Sequence, residues 1–207
     1  MLVGNLCLEF LNSEWGDFRG RFRRDHLEQP AWVQDFLNRW GLEVAEPLTP
    51  DRLQELMGLR AAMRQIFEAL PAGEPPREAL DALNGILLGA PPVRRLIWSS
   101  ERGYELEEAP AVKDWRWVMT EIAAAFADLL VNSENKRLKV CQNPYCRGYY
   151  YDDTKSGTQR WCIPQCANLW KARRFRARQR GEKADRSAAS GKQDTPIVHL
   201  YGGEQKY

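Results

Sequence analysis

The chain has 207 residues, with 30 Lys+Arg against 28 Asp+Glu, a formal net charge of +2 and 43% hydrophobic residues. That length suits one large domain or a domain with a small module, and enough apolar material is present for a core, which excludes disorder of the whole chain. No run of about 18 apolar residues occurs, which excludes a membrane-spanning helix.

The start, Met1 to Phe10, has no basic segment and meets Glu9 too early for a secretory signal, so a cytoplasmic location is expected. Cys7, between Leu6 and Leu8, reads as a small buried hydrophobe. The basic run from Arg19 to Arg24 is expected in a loop, solvated or anion-binding. A short helix is predicted over 31–40, with Trp32, Val33, Phe36, Leu37 and Trp40 as its apolar residues.

Thr49-Pro50-Asp51 opens a longer helix, with a capping hydroxyl and proline at the first position, and Pro71 stops it. Another helix is predicted from Pro76 to Leu88, ended by Gly89. Arg94 to Trp98 and Tyr104 to Glu108 flank Arg102-Gly103 and read as a β-hairpin. A long helix from about Ala111 to Val131 carries Trp115, Val118, Met119, Ile122, Phe126 and Leu129 as its core stripe.

No nucleophile–base pair, phosphate-cradling glycine loop or motif-marked pair of carboxylates is found. No catalytic residue is therefore assigned, and the chain is expected not to be an enzyme. His26 and His199 read as ordinary surface or packing residues.

The near-neutral total hides an uneven distribution. Residues 1–135 hold 14 cations and 22 anions, residues 136–180 hold 12 and 2, and residues 181–207 hold 4 of each. An acidic body is thus followed by a segment of net +10, which points to a polyanionic partner. The alternative is that the basic and acidic parts simply attract each other within one fold.

The basic segment also carries four of the five cysteines: Cys141, Cys146, Cys162 and Cys166, spaced C-x4-C-x15-C-x3-C. Two short bites let each pair wrap one side of a tetrahedron around a metal, with Zn–S bonds of about 2.3 Å. In a reducing compartment such pairs mean metal more often than disulfides. Zn(II) is expected, ahead of an iron–sulfur cluster or redox-active thiols. Four protein ligands leave no position for water, so the zinc would be structural.

Arg137 to Val140 reads as a short strand entering Cys141, and Asn143-Pro144 supplies the turn of a metal-binding knuckle. Gly148 to Tyr151 is strand-like, and Thr158 to Trp161 is expected to return as the second strand of a hairpin. Pro164 suits the first turn of a helix that carries Cys166. Knuckle, hairpin and helix together describe a treble-clef-like zinc module. Of Tyr149, Tyr150, Tyr151 and Trp161, at least two are expected in its core, the others being free to stack on bases.

Beyond Cys166 no helix breaker occurs until Gly181. At about 100° per residue, Leu169, Ala172 and Phe175 share a stripe expected to pack on the hairpin. Six cations and no anion follow from Lys171 to Arg180, five of them arginine. They repel one another unless phosphate neutralises them, and arginine suits bidentate phosphate or guanine contacts. The alternatives are a solvated helix or one docked on the acidic body.

This segment resembles the CGNR-type zinc finger of bacterial proteins, through Val140 to Cys146, Arg160-Trp161-Cys162, Cys166-Ala167-Asn168 and the basic run Lys171 to Arg178. The run that names the family, Cys-Gly-Asn-Arg, stands here as Cys166-Ala167-Asn168-Leu169. Gly4 to Ser13 likewise resembles the opening of the ABATE domain, which accompanies this finger in proteins described as stress-induced transcription regulators. The resemblance implies zinc on the four cysteines and DNA binding by the finger, with Asn168, Lys171, Arg173, Arg174, Arg176 and Arg178 as contacts. It also implies a small ligand for the N-terminal domain, with Asn12, Trp15 and Arg60 as candidate pocket residues. The plain alternative places Trp15 in the core and makes Asn12 a helix cap.

The expected fold class is α+β: a mainly helical N-terminal domain with a small β-hairpin, plus a C-terminal treble-clef-like zinc module. The expected organisation is an ABATE-like sensor domain over 1–135, a zinc finger with a basic helix over 136–180, and a flexible tail over 181–207, where Ile197 to Tyr201 could dock as a strand. The function expected is a zinc-containing, DNA-binding transcription regulator with a ligand-sensing N-terminal domain. The alternative is a zinc-stabilised protein-interaction or RNA-binding module.

Overall fold

A computed structural model describes residues 5–179. The chain divides into two compact units, Met1–Ala167 and Asn168–Tyr207. The expected tail over 181–207, with Ile197 to Tyr201 and His199, lies outside the described residues.

The first unit opens with helix α1, Leu6–Leu11, whose N-cap Asn5 accepts the amide of Leu8. Cys7, Leu8, Phe10 and Leu11 of this helix are buried. Burial pushes the Cys7 thiol up to about 12, so it packs as a neutral hydrophobe. Strands β1, Glu14–Gly16, and β2, Arg23–Asp25, follow as an antiparallel pair. The basic run Arg19 to Arg24, expected as loop throughout, therefore contributes its last two residues to a strand.

Helix α2, Pro30–Trp40, ends at Gly41 in the left-handed conformation, φ 65°. Helix α3, Pro50–Ala69, starts at Thr49, whose hydroxyl accepts the Arg52 amide. Helix α4 spans Arg77–Leu87, with Pro76 as its N-cap. Helix α5, Trp115–Asn132, begins later than expected because the Asp114 carboxylate accepts the Trp117 amide and fixes the first turn there. Between α4 and α5, strands β3, Val93–Ser99, and β4, Gly103–Ala109, form the expected hairpin.

Helices α1 to α5 enclose one core. Phe10, Leu11, Met63, Phe67, Ile122 and Phe126 have almost no exposed surface. Leu138 and Tyr149, from the strands around the cysteines, belong to the same apolar cluster. Burying such side chains stabilises the fold by roughly 1.5–3 kcal/mol each, so the cysteine-bearing strands are held by packing as well as by metal.

Charge pairs tie the N-terminal hairpin to α3. Arg60, buried in that helix, donates to the Ser13 hydroxyl at 2.8 Å and forms a bidentate pair with Asp25. Burial alone would raise the Asp25 carboxyl, but Arg60, with the Leu27 amide and Arg64, outweighs it and holds the group below its usual range. Arg64 similarly engages Glu14 and the carbonyl of Leu11. These pairs set β1 and β2 at a fixed place beside the cysteines.

Strand β5, Leu138–Val140, pairs antiparallel with β6, Tyr149–Tyr151. Thr158 to Trp161 is not a strand, so the expected hairpin forms between the segments on either side of the first cysteine pair. The reason lies in Asp152, which has no exposed surface. Its carboxylate accepts the Gln159 amide at 2.8 Å and the Lys139 ammonium at 2.6 Å. The Lys139 ammonium also reaches the carbonyls of Gly157 and Gln159, so side chains take the backbone groups that a ladder would need. The last element is helix α6, Pro164–Gln179.

Candidate metal centre

Cys141, Cys146, Cys162 and Cys166 place their sulfur atoms within 4.8 Å of one another, and Cys146 and Cys162 lie 3.4 Å apart. A tetrahedral zinc with bonds of about 2.3 Å requires sulfur–sulfur edges of about 3.8 Å, which this cluster brackets. All four are free thiols, two buried and two half-buried. Hydrogen bonds from Cys146 and Cys162 drive the Cys141 thiol well below its ordinary value, while the same contacts hold Cys146 and Cys162 above theirs, so the metal-free cluster shares a single thiolate centred on Cys141. The four cysteines form a structural Zn(II) site. Bound zinc would supply a cross-link between the knuckle and the start of α6.

The first pair sits on a tight knuckle. The Asn143 carbonyl accepts the amides of Cys146 and Arg147, both at 3.0 Å, and the Cys141 amide donates to Gly148 at 2.8 Å. Arg147 holds a left-handed backbone, φ 46°, unusual for a residue with a side chain. Its guanidinium pairs with Glu68 of α3 at 3.3 Å, and the Tyr149 hydroxyl donates to the same carboxylate at 2.6 Å. The second pair flanks the first turn of α6, where the Cys166 amide donates to the Ile163 carbonyl at 3.1 Å.

A shell of residues from the N-terminal hairpin closes over this knuckle. The buried side-chain amide of Asn143 donates to the Phe18 carbonyl at 2.8 Å and to the Cys166 sulfur at 3.3 Å. A donor to a metal-bound thiolate both orients it and spreads its charge. Phe18 packs on the cluster of Cys141, Tyr150 and Cys166. Gly16 and Gly20 allow the close approach. A Cβ on Gly16 would lie 2.4 Å from the Tyr145 carbonyl oxygen, and one on Gly20 would lie 2.2 Å from the Tyr145 ring.

Asn12, at the C-terminal cap of α1, makes a second link. Its oxygen accepts the Tyr149 amide and its nitrogen donates to the Tyr149 carbonyl, both at 2.8 Å. Asn12 also lines a cavity of about 380 Å³ with Asn5, Leu8, Tyr149, Tyr150 and Tyr151. Trp15 and Arg60 are not among the residues around that cavity. Trp15 lies on β1, 38% exposed and edge-on to Phe22, while Arg60 is committed to Asp25 and Ser13. The three pocket candidates are therefore not brought to one site. Of the four aromatics, Tyr149 and Tyr150 are buried, and Tyr151 and Trp161 are half-buried.

In the second unit, Asn168, Lys171, Arg174, Arg176 and Arg178 are exposed on α6, and Arg173 is half-buried. Phe175, expected in a packing stripe, is 63% exposed.

Sequence reasoning took Asn143 only as a turn residue and missed its amide bond to the ligand sulfur. Nor does the local pattern report the pairing of the half-buried Lys139 with the buried Asp152. The Asn-Pro dipeptide signals a turn, but nothing in the local pattern says that the side chain faces a thiolate.

The family model described as "Putative stress-induced transcription regulator", ABATE, matches residues 4–133, and that of the CGNR zinc finger matches residues 137–179. No curated protein matches the chain. The two family descriptions name regulation and a zinc finger, and neither names a catalytic activity. No helix among the described residues is long and apolar enough to cross a membrane.

Proposed function

Because the chain belongs to the ABATE family and ends its described part in a CGNR zinc finger, we propose that this zinc-binding regulatory protein acts as a DNA-binding transcription regulator in the bacterial cytoplasm. One observation carries the reading: the helix that contains the fourth zinc ligand goes on through Lys171, Arg173, Arg174, Arg176 and Arg178 without a single anion. Zinc holds the start of α6, and the cations, with Asn168, contact phosphates and base edges. In this reading residues 1–135 form the sensor domain, 136–180 the finger and 181–207 a tail.

The small-molecule role of the N-terminal domain is part of the same proposal. The Asn12-lined cavity is its site in preference to Trp15 or Arg60, neither of which lines it.

Binding of the zinc-loaded chain to random duplex DNA, measured across a salt series, tests the proposal. Four or five phosphate contacts give a log–log slope of about −4, and replacing Arg174 and Arg176 by Gln lowers its magnitude by about 2. Binding that ignores salt, or none at low salt, overturns it. Preference for single-stranded RNA in competition redirects it to the RNA-binding alternative. Co-purification with a protein partner that survives nuclease redirects it to the interaction module.

A further inference from the structure

The β3–β4 hairpin is a seven-pair antiparallel ribbon, Val93↔Ala109 to Ser99↔Gly103, and among the described residues its strands pair only with each other. Alternation along the strands puts Leu96 and Trp98 on one face with their cross-strand partners Leu106 and Tyr104. These four large side chains are 68%, 64%, 62% and 76% exposed, in that order. The ordinary arrangement for a two-stranded ribbon is the opposite, since it is marginal in water until one face is covered.

We infer that this arm is a homodimerisation surface, in which the face of Leu96, Trp98, Tyr104 and Leu106 packs on the same face of a second copy. Two properties favour a second copy over another occupant.

The first is area. At about 150–250 Å² for a large side chain, the four expose on the order of 500 Å² of apolar surface. Two such faces together remove about 1,000 Å² from water, which reaches the threshold for a specific interface.

The second is charge. The apolar rows are bounded at the base by Arg94 and Glu108, paired at 3.0 Å, and at the tip by Glu101 and Arg102. Each end thus carries one cation and one anion. Two copies related by a two-fold axis, with the arms antiparallel, set the base of one against the tip of the other. The Trp98/Tyr104 row then covers the partner's Leu96/Leu106 row, and no end meets an end of uniform like charge. This neutral, self-complementary strip lies in an N-terminal region that is net −8 over residues 1–135, where a general approach of two copies would be repelled.

The inference does not depend on the nucleic-acid reading. Its test is light scattering of the full, zinc-loaded chain during size exclusion, over a concentration series. The parent chain is expected at twice its own mass at micromolar concentration. Trp98→Thr with Tyr104→Thr keeps a β-forming cross-strand pair and removes the aromatics. The double variant should dissociate at least about 100-fold more readily, with an unchanged far-ultraviolet spectrum.

Hydrogen exchange provides a second measurement, with concentration-dependent protection expected over 93–109. A chain monomeric at about 100 μM, weaker than the range of ordinary interfaces, overturns the inference. So does a dimer whose concentration-dependent protection lies outside the arm. Protection of 93–109 that is independent of concentration in a monomer also overturns it, and assigns the cover to another part of the same chain.

Discussion

The side-chain amide of Asn143 donates to the carbonyl of Phe18, 125 residues earlier in the chain, at 2.8 Å. Through its contact with the Cys166 sulfur, the same amide joins the N-terminal hairpin to a zinc ligand. Asn143→Asp keeps the shape, removes both donors and sets a carboxylate beside a thiolate. Zinc affinity should fall about 10–100-fold, as measured by competition with a chromophoric chelator. An unchanged affinity would show that the donor has no effect on the ligand.

Gly16 and Gly20 should respond differently to the same partner. Gly16→Ala meets the Tyr145 backbone, which cannot be trimmed by mutation, whereas Gly20→Ala meets the Tyr145 ring. Each should cost about 1–3 kcal/mol in urea unfolding. Adding Tyr145→Ala should recover part of the Gly20→Ala loss and none of the Gly16→Ala loss. The recovery stays partial because Gly20 has φ +78°, which alanine adopts only with strain.

Removal of zinc should be felt in two places. From spacing alone, one would expect Cys162→Ser to unfold the finger and leave the rest untouched. The contacts of Phe18, Gly16 and Gly20 with the knuckle change that expectation. Chelation or Cys162→Ser should raise amide exchange in residues 138–151 and also in residues 17–22. Most helical circular dichroism should persist, because α3 and α5 bury their own core residues. Exchange confined to the cysteine segment would contradict the coupling.

Acid should act through Asp152. Burial pushes its carboxyl upward, but the bonds from Lys139, Thr154 and the Gln159 amide prevail and hold it well below the usual range. The folded protein therefore binds that proton less readily than the unfolded chain does. Its contribution is complete above the ordinary carboxyl value of about 4 and is lost as pH falls below it. With zinc in excess, the stability difference between the parent and Asp152→Asn should stay constant from pH 7 to about 5 and shrink below about 4. A difference that grows on acidification would reverse the sign and refute the assignment.

The parts of this protein readable from sequence are those in which one local rule dominates. Helix α3 was visible because Thr49, Pro50 and Pro71 bracket an apolar period. The zinc ligands were visible because tetrahedral coordination imposes paired spacings. Strands β1 and β2 were hidden, since each is three residues long and Arg23 and Arg24 break any alternation. Residues 158–161 looked like a strand, but Asp152 and Lys139 redirect their backbone groups. The separation of Trp15 and Arg60 from the Asn12 cavity follows from ion pairs between distant segments, which no periodicity reports. The Asn143 bond is hidden for the same reason.

Strand β6 pairs with β5 along one side only, and the amide and carbonyl of Tyr149 point to the other. There the carboxamide of Asn12 presents one acceptor and one donor, as a neighbouring strand would. The open border of the sheet at Tyr149 is thereby sealed by a side chain instead of a backbone. An exposed border of this kind recruits strands from other molecules and seeds aggregation. The asparagine that ends the first helix is in this sense a guard against intermolecular strand addition, set directly beside the zinc knuckle.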